Sequence, residues 1–187
     1  FKIQPPSEKI WLAVVGNRGT YHQNSRRSWN CHPVQHAIFI GEFELSIDHK
    51  GRLLVPADLR RSIDPTRDGE SFYLVVGVNR KPWLWPEKTY EEIVSRSEQD
   101  LTPDEDELAF DQIYFAMASK VEPDKQGRLL IPDKVLRRTG TEKEITLIGA
   151  RNHLELWNRA DWDRRFDENL DRLQELAIKR RQARKQP

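Results

Sequence analysis

Nine residues, DHKGRLLVP at Asp48 to Pro56, return as DKQGRLLIP at Asp124 to Pro132. Asp, Gly, Arg, both Leu and the Pro keep their spacing, and Ile replaces Val. Downstream, Leu74 to Trp85 (LVVGVNRKPWLW) and Thr146 to Trp157 (TLIGARNHLELW) share a Gly, a Leu and the closing Trp. The first pair is offset by 76 residues and the second by 72, so the first copy has four extra residues in its connection, around Pro65 to Glu70. Two copies of one supersecondary unit is the simplest reading, and two are too few for a solenoid. The chain is expected to form a pseudo-symmetric pair.

Each copy reads alike. Phe43, Leu45 and Ile47 alternate with Glu42, Glu44 and Ser46, the pattern of a half-buried strand. Asp48 to Gly51 is a turn, with Asp suited to its first position and Gly to its last. Arg52 to Val55 returns as a second strand. Pro56 then suits the start of a short helix over Ala57 to Ile63, with Leu59 and Ile63 on one face. The second copy repeats this from Pro132 to Arg138, with Gly140 as the stop. Hairpins follow, Phe72 to Val76 with Trp83 to Trp85, and Glu144 to Ile148 with Leu154 to Trp157.

A helix closes each copy. Asn158 is the expected N-cap, flanked by a staple of Trp157 and Trp162; Trp85 and Tyr90 hold the same places in the first copy. The last helix is expected to run unbroken to about Arg181, with Trp162, Phe166, Leu170, Leu173 and Ala177 on one stripe. Between the copies, Thr102 to Glu105 reads as a capping box with Pro103 at the first helical position, and Phe110, Ile113, Tyr114 and Met117 continue at helical spacing.

Charge narrows the function. Residues 1 to 37 have no repeat partner and take five of 31 basic and one of 30 acidic residues, leaving 26 against 29 in the rest. This is no generic basic nucleic-acid binder. Cations that bind DNA must be gathered on one face or multiplied by oligomerisation. No run of 18 apolar residues exists, and the patch Ile10 to Val15 is too short and broken for a signal peptide core. The single cysteine, Cys31, excludes a disulfide within the chain and fits a reducing compartment. Residues 1 to 37 read as an extension, disordered or non-native, ahead of a folded part starting near Ile38.

The repeated motif has two readings. In one, Asp48 caps its turn and pairs with Arg52, as Asp124 does with Arg128, and the pair is structural. In the other, the neighbouring cations matter: Lys50, Arg52, Arg60 and Arg61 in the first copy, Lys125, Arg128, Arg137 and Arg138 in the second. Arginine's planar fork takes phosphate or guanine edges bidentately.

At these residues the chain resembles a known group. Val121 to Thr139 is similar to the DNA-binding half of AbrB-type regulators. The tandem copies, opening at Phe39-Ile40-Gly41-Glu42-Phe43 and closing at Leu156-Trp157 before a helix, resemble the MraZ family over roughly residues 38 to 165. The resemblance implies an α+β fold in which two interlocked SpoVT-AbrB-like swapped-hairpin repeats form a pseudo-twofold β-barrel core with flanking helices. It implies an extension at 1–37, a first repeat at 41–88, a helical connector at 89–116, a second repeat at 117–160, and a C-terminal helix with basic tail at 161–187. It implies a bacterial, cytoplasmic and nucleoid-associated regulator, assembled as a ring of identical chains. Its DNA partner would be repeated promoter boxes, and its action repression of its own cell-division and cell-wall gene cluster. Carried over by position, the resemblance makes Arg52 and Arg128 the expected leading DNA contacts. Lys50, Lys125, Arg60, Arg61, Arg137 and Arg138 come next, with Asp48, Gly51, Asp124 and Gly127 shaping the turns. Gln126 stands where the first copy has Lys50, so the two faces need not bind equally.

Other chemistries fare worse. Trp83, Trp85, Trp157 and Trp162 can stack on bases, but their staple-like places favour packing. His49 and His153 lack a second metal ligand at suitable spacing. Asp48 and Asp124 sit beside arginines, which favours ionised carboxylates over an acid/base pair. No phosphate-cradling loop or nucleophile elbow is present. No catalytic residue, cofactor, membrane contact or small-molecule substrate is expected. An antitoxin-like interaction module is the alternative, and an enzyme of nucleic acid or cell-wall metabolism the third reading. The acidic run Asp104 to Glu107 and the Lys179 to Lys185 tail lie outside the motif and are given no role.

Overall fold

A computed structural model of the chain describes residues 36–97 and 102–183. The expectations for residues 1 to 35, including Cys31, lie outside the described residues. In chain order the strands are β1 (Glu42–Ser46), β2 (Arg52–Leu54), β3 (Phe72–Val76), β4 (Pro82–Pro86), β5 (Ser119–Val121), β6 (Arg128–Leu130), β7 (Glu144–Gly149) and β8 (Leu154–Asn158). The helices are α1 (Ala57–Arg61), α2 (Pro65–Asp68), α3 (Glu87–Arg96), α4 (Glu105–Met117), α5 (Asp133–Thr139), α6 (Arg159–Leu170) and α7 (Leu173–Ala183).

The two repeats interleave. Six strands form an open antiparallel sheet in the order β1-β7-β8-β4-β3-β5. The order is palindromic under exchange of the repeats. The first strand of each repeat pairs with the third of the other, β1 with β7 and β5 with β3, and β4 meets β8 at the centre. The remaining strands, β2 and β6, form a separate antiparallel ribbon in which Leu53 faces Leu129. A pseudo-twofold axis runs through that pair. The hydrogen-bonded ladder stays open, with β1 and β5 at its edges, rather than closing as a barrel.

Alternation places the core. Phe72, Leu74, Leu84, Ile145, Leu147, Leu154 and Leu156 point to one face of the sheet and join Leu53 and Leu129 of the ribbon in one cluster. Val55, Leu59, Ile131 and Val135 extend it. Ala37 and Phe39, just before β1, are buried in the same cluster. Neither repeat contains this core alone.

Several elements differ from the sequence expectation. The extra residues of the first connection build α2, because Asp64 accepts from Thr66 N and Pro65 opens the helix. The fully buried Asp68 of α2 accepts from Ala37 N and pairs with Arg67. The capping box of α4 is Asp104 with Glu107, so Pro103 precedes the cap instead of opening the helix. Asn158 precedes α6 but does not cap it. Its side chain instead accepts from Glu142 N and donates to the Gly140 carbonyl, tying down the loop after α5. The closing helix breaks at residues 171–172 into α6 and α7, and neither buries a residue.

The second hairpin is also one residue shorter than the first. Val76 pairs with Pro82 across five residues, whereas Gly149 pairs with Leu154 across four. Trp85 faces Tyr73 and Trp157 faces Thr146, so Gly149 is the structural counterpart of Val76, not of Gly77. The two glycines serve different ends. A Cβ on Gly77 would lie 2.1 Å from the Trp83 ring, and one on Gly149 would lie 2.5 Å from the Phe39–Ile40 backbone.

Candidate nucleic-acid interface

The repeated motif builds the same turn twice. In the first, Gly51 N donates to the Asp48 carbonyl at 2.9 Å, and Asp48 Oδ1 accepts from Lys50 N at 2.8 Å and Arg52 N at 2.9 Å. In the second, Gly127 N donates to the Asp124 carbonyl at 2.8 Å, and Asp124 Oδ1 accepts from Gln126 N at 2.9 Å and Arg128 N at 3.0 Å. Asp is needed because one carboxylate oxygen replaces a missing backbone acceptor. Gly is needed because φ is +76° at Gly51 and +78° at Gly127.

The other carboxylate oxygen holds the arginine. Arg52 Nε donates to Asp48 Oδ2 at 2.7 Å and Arg128 Nε to Asp124 Oδ2 at 2.8 Å. In each pair the Nη2 group bonds the same oxygen, at 2.7 Å and 2.6 Å. Both arginine side chains keep the same 27% exposure. Two of the five guanidinium donors are used, and three remain for another acceptor. The arginine bond and the turn's N–H groups hold Asp48 far below the ordinary carboxylate range and Asp124 at about 2. Both carboxylates are therefore ionised pins at neutral pH and cannot share a proton. The structural reading of the Asp–Arg pair holds, and it leaves each guanidinium aimed rather than spent.

The ribbon joins the two turns. Arg52 is opposite Leu130 and Arg128 opposite Leu54, so the two arginine backbones stand about 8–9 Å apart by strand geometry. Leu53 and Leu129 face the core, so alternation turns Arg52, Leu54, Arg128 and Leu130 to solvent on one face. Leu54 is 50% and Leu130 58% exposed. The apolar letters of RLLVP and RLLIP hide these outward leucines, and the strand period of two, counted from the motif arginine, is the sequence signal that reveals them.

The remaining predicted cations divide. Lys50 and Lys125 are exposed on the two turns. Arg60 leaves α1, donates from Nε to the Val55 carbonyl at 3.0 Å, and lies over Gly127 of the other repeat. Arg61 pairs with Asp58 and Arg137 with Asp133, both highly exposed. Arg138 points elsewhere: with Arg80, Val78, Phe110, Ile113 and Tyr114 it lines a cleft of about 570 Å³ beside α4.

Trp83, Trp85 and Trp157 lie on the sheet face opposite the core, where Trp162 of α6 meets Trp157. The Trp157 and Trp162 rings lie 5.7 Å apart, as the staple requires. The first copy departs from that pattern: Tyr90 stacks on Tyr73 at 4.4 Å, while Trp85 stacks on His153 at 4.3 Å. His153 also meets Trp83 at 4.5 Å and approaches Glu155 at 3.3 Å. Among the described residues, no three His, Cys, Asp or Glu side chains gather as a metal site, and no helix is long and apolar enough to cross a membrane.

Known proteins resemble this chain in sequence. A family profile described as "MraZ protein, putative antitoxin-like" matches residues 38–111 and again 114–184. The chain is 30% identical over 147 residues to a protein of Clostridium tetani named "Transcriptional regulator MraZ", covering 75% of this chain and 100% of that one. A protein of the same name from Pediococcus pentosaceus is 31% identical over 140 residues, 75% of this chain and 94% of the relative. One from Desulforamulus reducens is 32% identical over 127 residues, 68% and 86% respectively.

Proposed function

The chain belongs to the MraZ family, and we propose that it is a sequence-specific, DNA-binding transcriptional regulator. One observation carries this reading. The β2–β6 ribbon sets two identically pinned arginines, Arg52 and Arg128, on one solvent face with a turn lysine at either end. Guanidinium forks held by carboxylates reach phosphates or guanine edges with little conformational entropy left to lose. Leu54 and Leu130 beside them offer apolar contact to thymine methyl groups. Relatives named as transcriptional regulators support the same conclusion.

In this reading the two repeats, 41–88 and 117–160, act as swapped-hairpin half-units joined by the connector 89–116. Lys50, Lys125 and Arg60 add phosphate contacts, and Arg61, Arg137 and Arg138 contribute less. Chains assemble into a ring that sets several ribbons toward repeated promoter boxes. The protein acts in the cytoplasm at the nucleoid, repressing the cell-division and cell-wall cluster that includes its own gene. The uncovered apolar residues of α6 and α7, among them Phe166, Leu170 and Leu173, favour a second reading as an antitoxin-like module. Copurification of a toxin-like partner that α7 truncation abolishes, in a chain indifferent to DNA, would establish that reading instead.

The test is a titration of the DNA upstream of its own gene against a scrambled duplex at two salt concentrations. The specific duplex is expected to bind more tightly, with affinity falling steeply as salt rises. Arg52→Ala and Arg128→Ala are each expected to cost about 1–3 kcal/mol of that binding while cooperative unfolding persists. Equal binding of both duplexes at both salts would overturn the proposal.

A further inference from the structure

Arg60 belongs to the first repeat, yet its side chain serves the turn of the second. Its Nε donates to the Val55 carbonyl at 3.0 Å, and Val55 N donates to the Gly127 carbonyl at 3.1 Å. The side chain then lies across Gly127 so closely that a Cβ there would stand 2.8 Å from Arg60 Cδ and 2.9 Å from both Nε and Cζ. Gly127 is required by its left-handed φ, and a side chain there would displace the end of Arg60 that is seated on it.

The other turn has no such visitor. The pseudo-twofold counterpart of Arg60 is Leu136, which packs against the core. A Cβ on Gly51 would instead meet the Ile131 carbonyl at 3.1 Å and Leu130 Cδ1 at 3.8 Å. Otherwise the turns are matched in charge, each with one lysine (Lys50 or Lys125) and one arginine paired to an aspartate. Arg61, next to Arg60, is spent on Asp58. Among the described residues Arg60 forms no ion pair with a carboxylate, and it remains exposed.

We propose that Arg60 is an orienting phosphate contact lent by the first repeat to the second turn, so that the Gly127 turn engages DNA with one more positive charge than the Gly51 turn. The proposal rests on the DNA-binding reading above. A chain whose two turns are alike in shape but unequal in charge has a preferred direction on a duplex. Backbone cations fix orientation and register, while base contacts read sequence.

The test uses the full chain, the upstream duplex and a salt series. Arg60→Leu, which installs the residue type of the second repeat, is expected to lower the slope of log affinity against log salt by about 0.9 per bound chain. Arg60→Lys keeps the charge and is expected to keep the slope. The affinity lost in Arg60→Leu is expected to shrink when Arg128→Ala has already disabled the second turn, and to persist in full beside Arg52→Ala. An unchanged slope in Arg60→Leu, with or without a lower denaturation midpoint, would overturn the proposal and leave Arg60 as a brace of the Gly127 turn. A wild-type chain that fails to bind the upstream duplex at any salt in the series would remove the DNA-binding reading itself, and this one with it.

Discussion

The Asp48 and Asp124 turns match bond for bond, whereas the hairpins that follow them do not. Corresponding hydrogen bonds in the turns differ by about 0.1 Å. The hairpins differ in loop length, in what their glycines admit and in which aromatic rings meet. The reason lies in range. The Asp48 and Asp124 bonds that fold each turn lie within five residues of one motif, and the bond each turn glycine's carbonyl accepts from the other repeat, from Ile131 N or Val55 N, is exchanged by the pseudo-twofold, so repeating the motif repeats the geometry. The hairpins are shaped by what packs on them. Phe39 and Ile40 press on Gly149, while Trp83 lies over Gly77 and α4 packs along β3. Near-identity therefore marks what is locally encoded, and divergence marks what the two halves negotiate with unequal neighbours.

That comparison can be broken most severely at its axis. Leu53 and Leu129 face each other in the ribbon and are fully buried. Leu53→Ala and Leu129→Ala are each expected to cost about 2–5 kcal/mol in urea denaturation. The two costs should agree closely if the ribbon is symmetric in energy as well as in register. A difference beyond about 1.5 kcal/mol would show that the halves cavitate differently. The glycines come next. Gly51→Ala and Gly127→Ala each force a side chain into the left-handed region, expected to cost roughly 1–2 kcal/mol. Gly127→Ala must also displace Arg60, so a second change, Arg60→Ala, is expected to recover part of its loss and none of the Gly51→Ala loss. Recovery in both backgrounds would deny the clasp.

Acid gives the smallest effect. Asp48 and Asp124 have folded-state pKa values below the ordinary 3.8, so the stability they contribute is present above that value and fades as pH falls through the folded one. For Asp124 the loss is expected between about pH 4 and pH 2, and Asp48 is expected to hold lower still. Asp124→Asn should flatten the acid limb of the stability curve in that window, and Asp48→Asn should flatten it further down. Asp124 is exposed and Asp48 partly so, so the change is small and is read as a shift of slope in stability against pH.

Much of this was legible in the sequence because much of it is local. The nine-residue motif announced the turns, the pairing of Asp with Arg and the pseudo-symmetry, and alternation in FELSI and its neighbours announced strands. The missing parts depend on contacts between distant residues. Aligned by sequence, Gly77 and Gly149 are partners; in the sheet they are not, because loop length is settled by what the hairpin tip meets. The break at 171–172 interrupts a stripe whose spacing is helical throughout, since spacing records which side is apolar and not whether anything covers it. Arg60 could be counted as a cation of its own repeat from its position in the chain. Only the crossing of β2 with β6 carries it to the other one.

The palindromic strand order also sets a timetable for synthesis. β1 finds its hydrogen-bonding partner in β7, roughly 100 residues later in the chain. At roughly 5–20 residues per second on the ribosome, β1 spends some 5–20 seconds with an unsatisfied edge before that partner emerges. Loop closure over such a span is slow to be rewarded, which exposes nascent strands to one another. The alternating glutamates of β1, Glu42 and Glu44, repel a second copy of the same strand on a neighbouring nascent chain. In the finished protein those carboxylates find Trp162 and Arg159 of α6, the element made after β7 and β8. The groups that keep the first strand solitary while the chain is being made are those the last-built layer takes up once the sheet is complete.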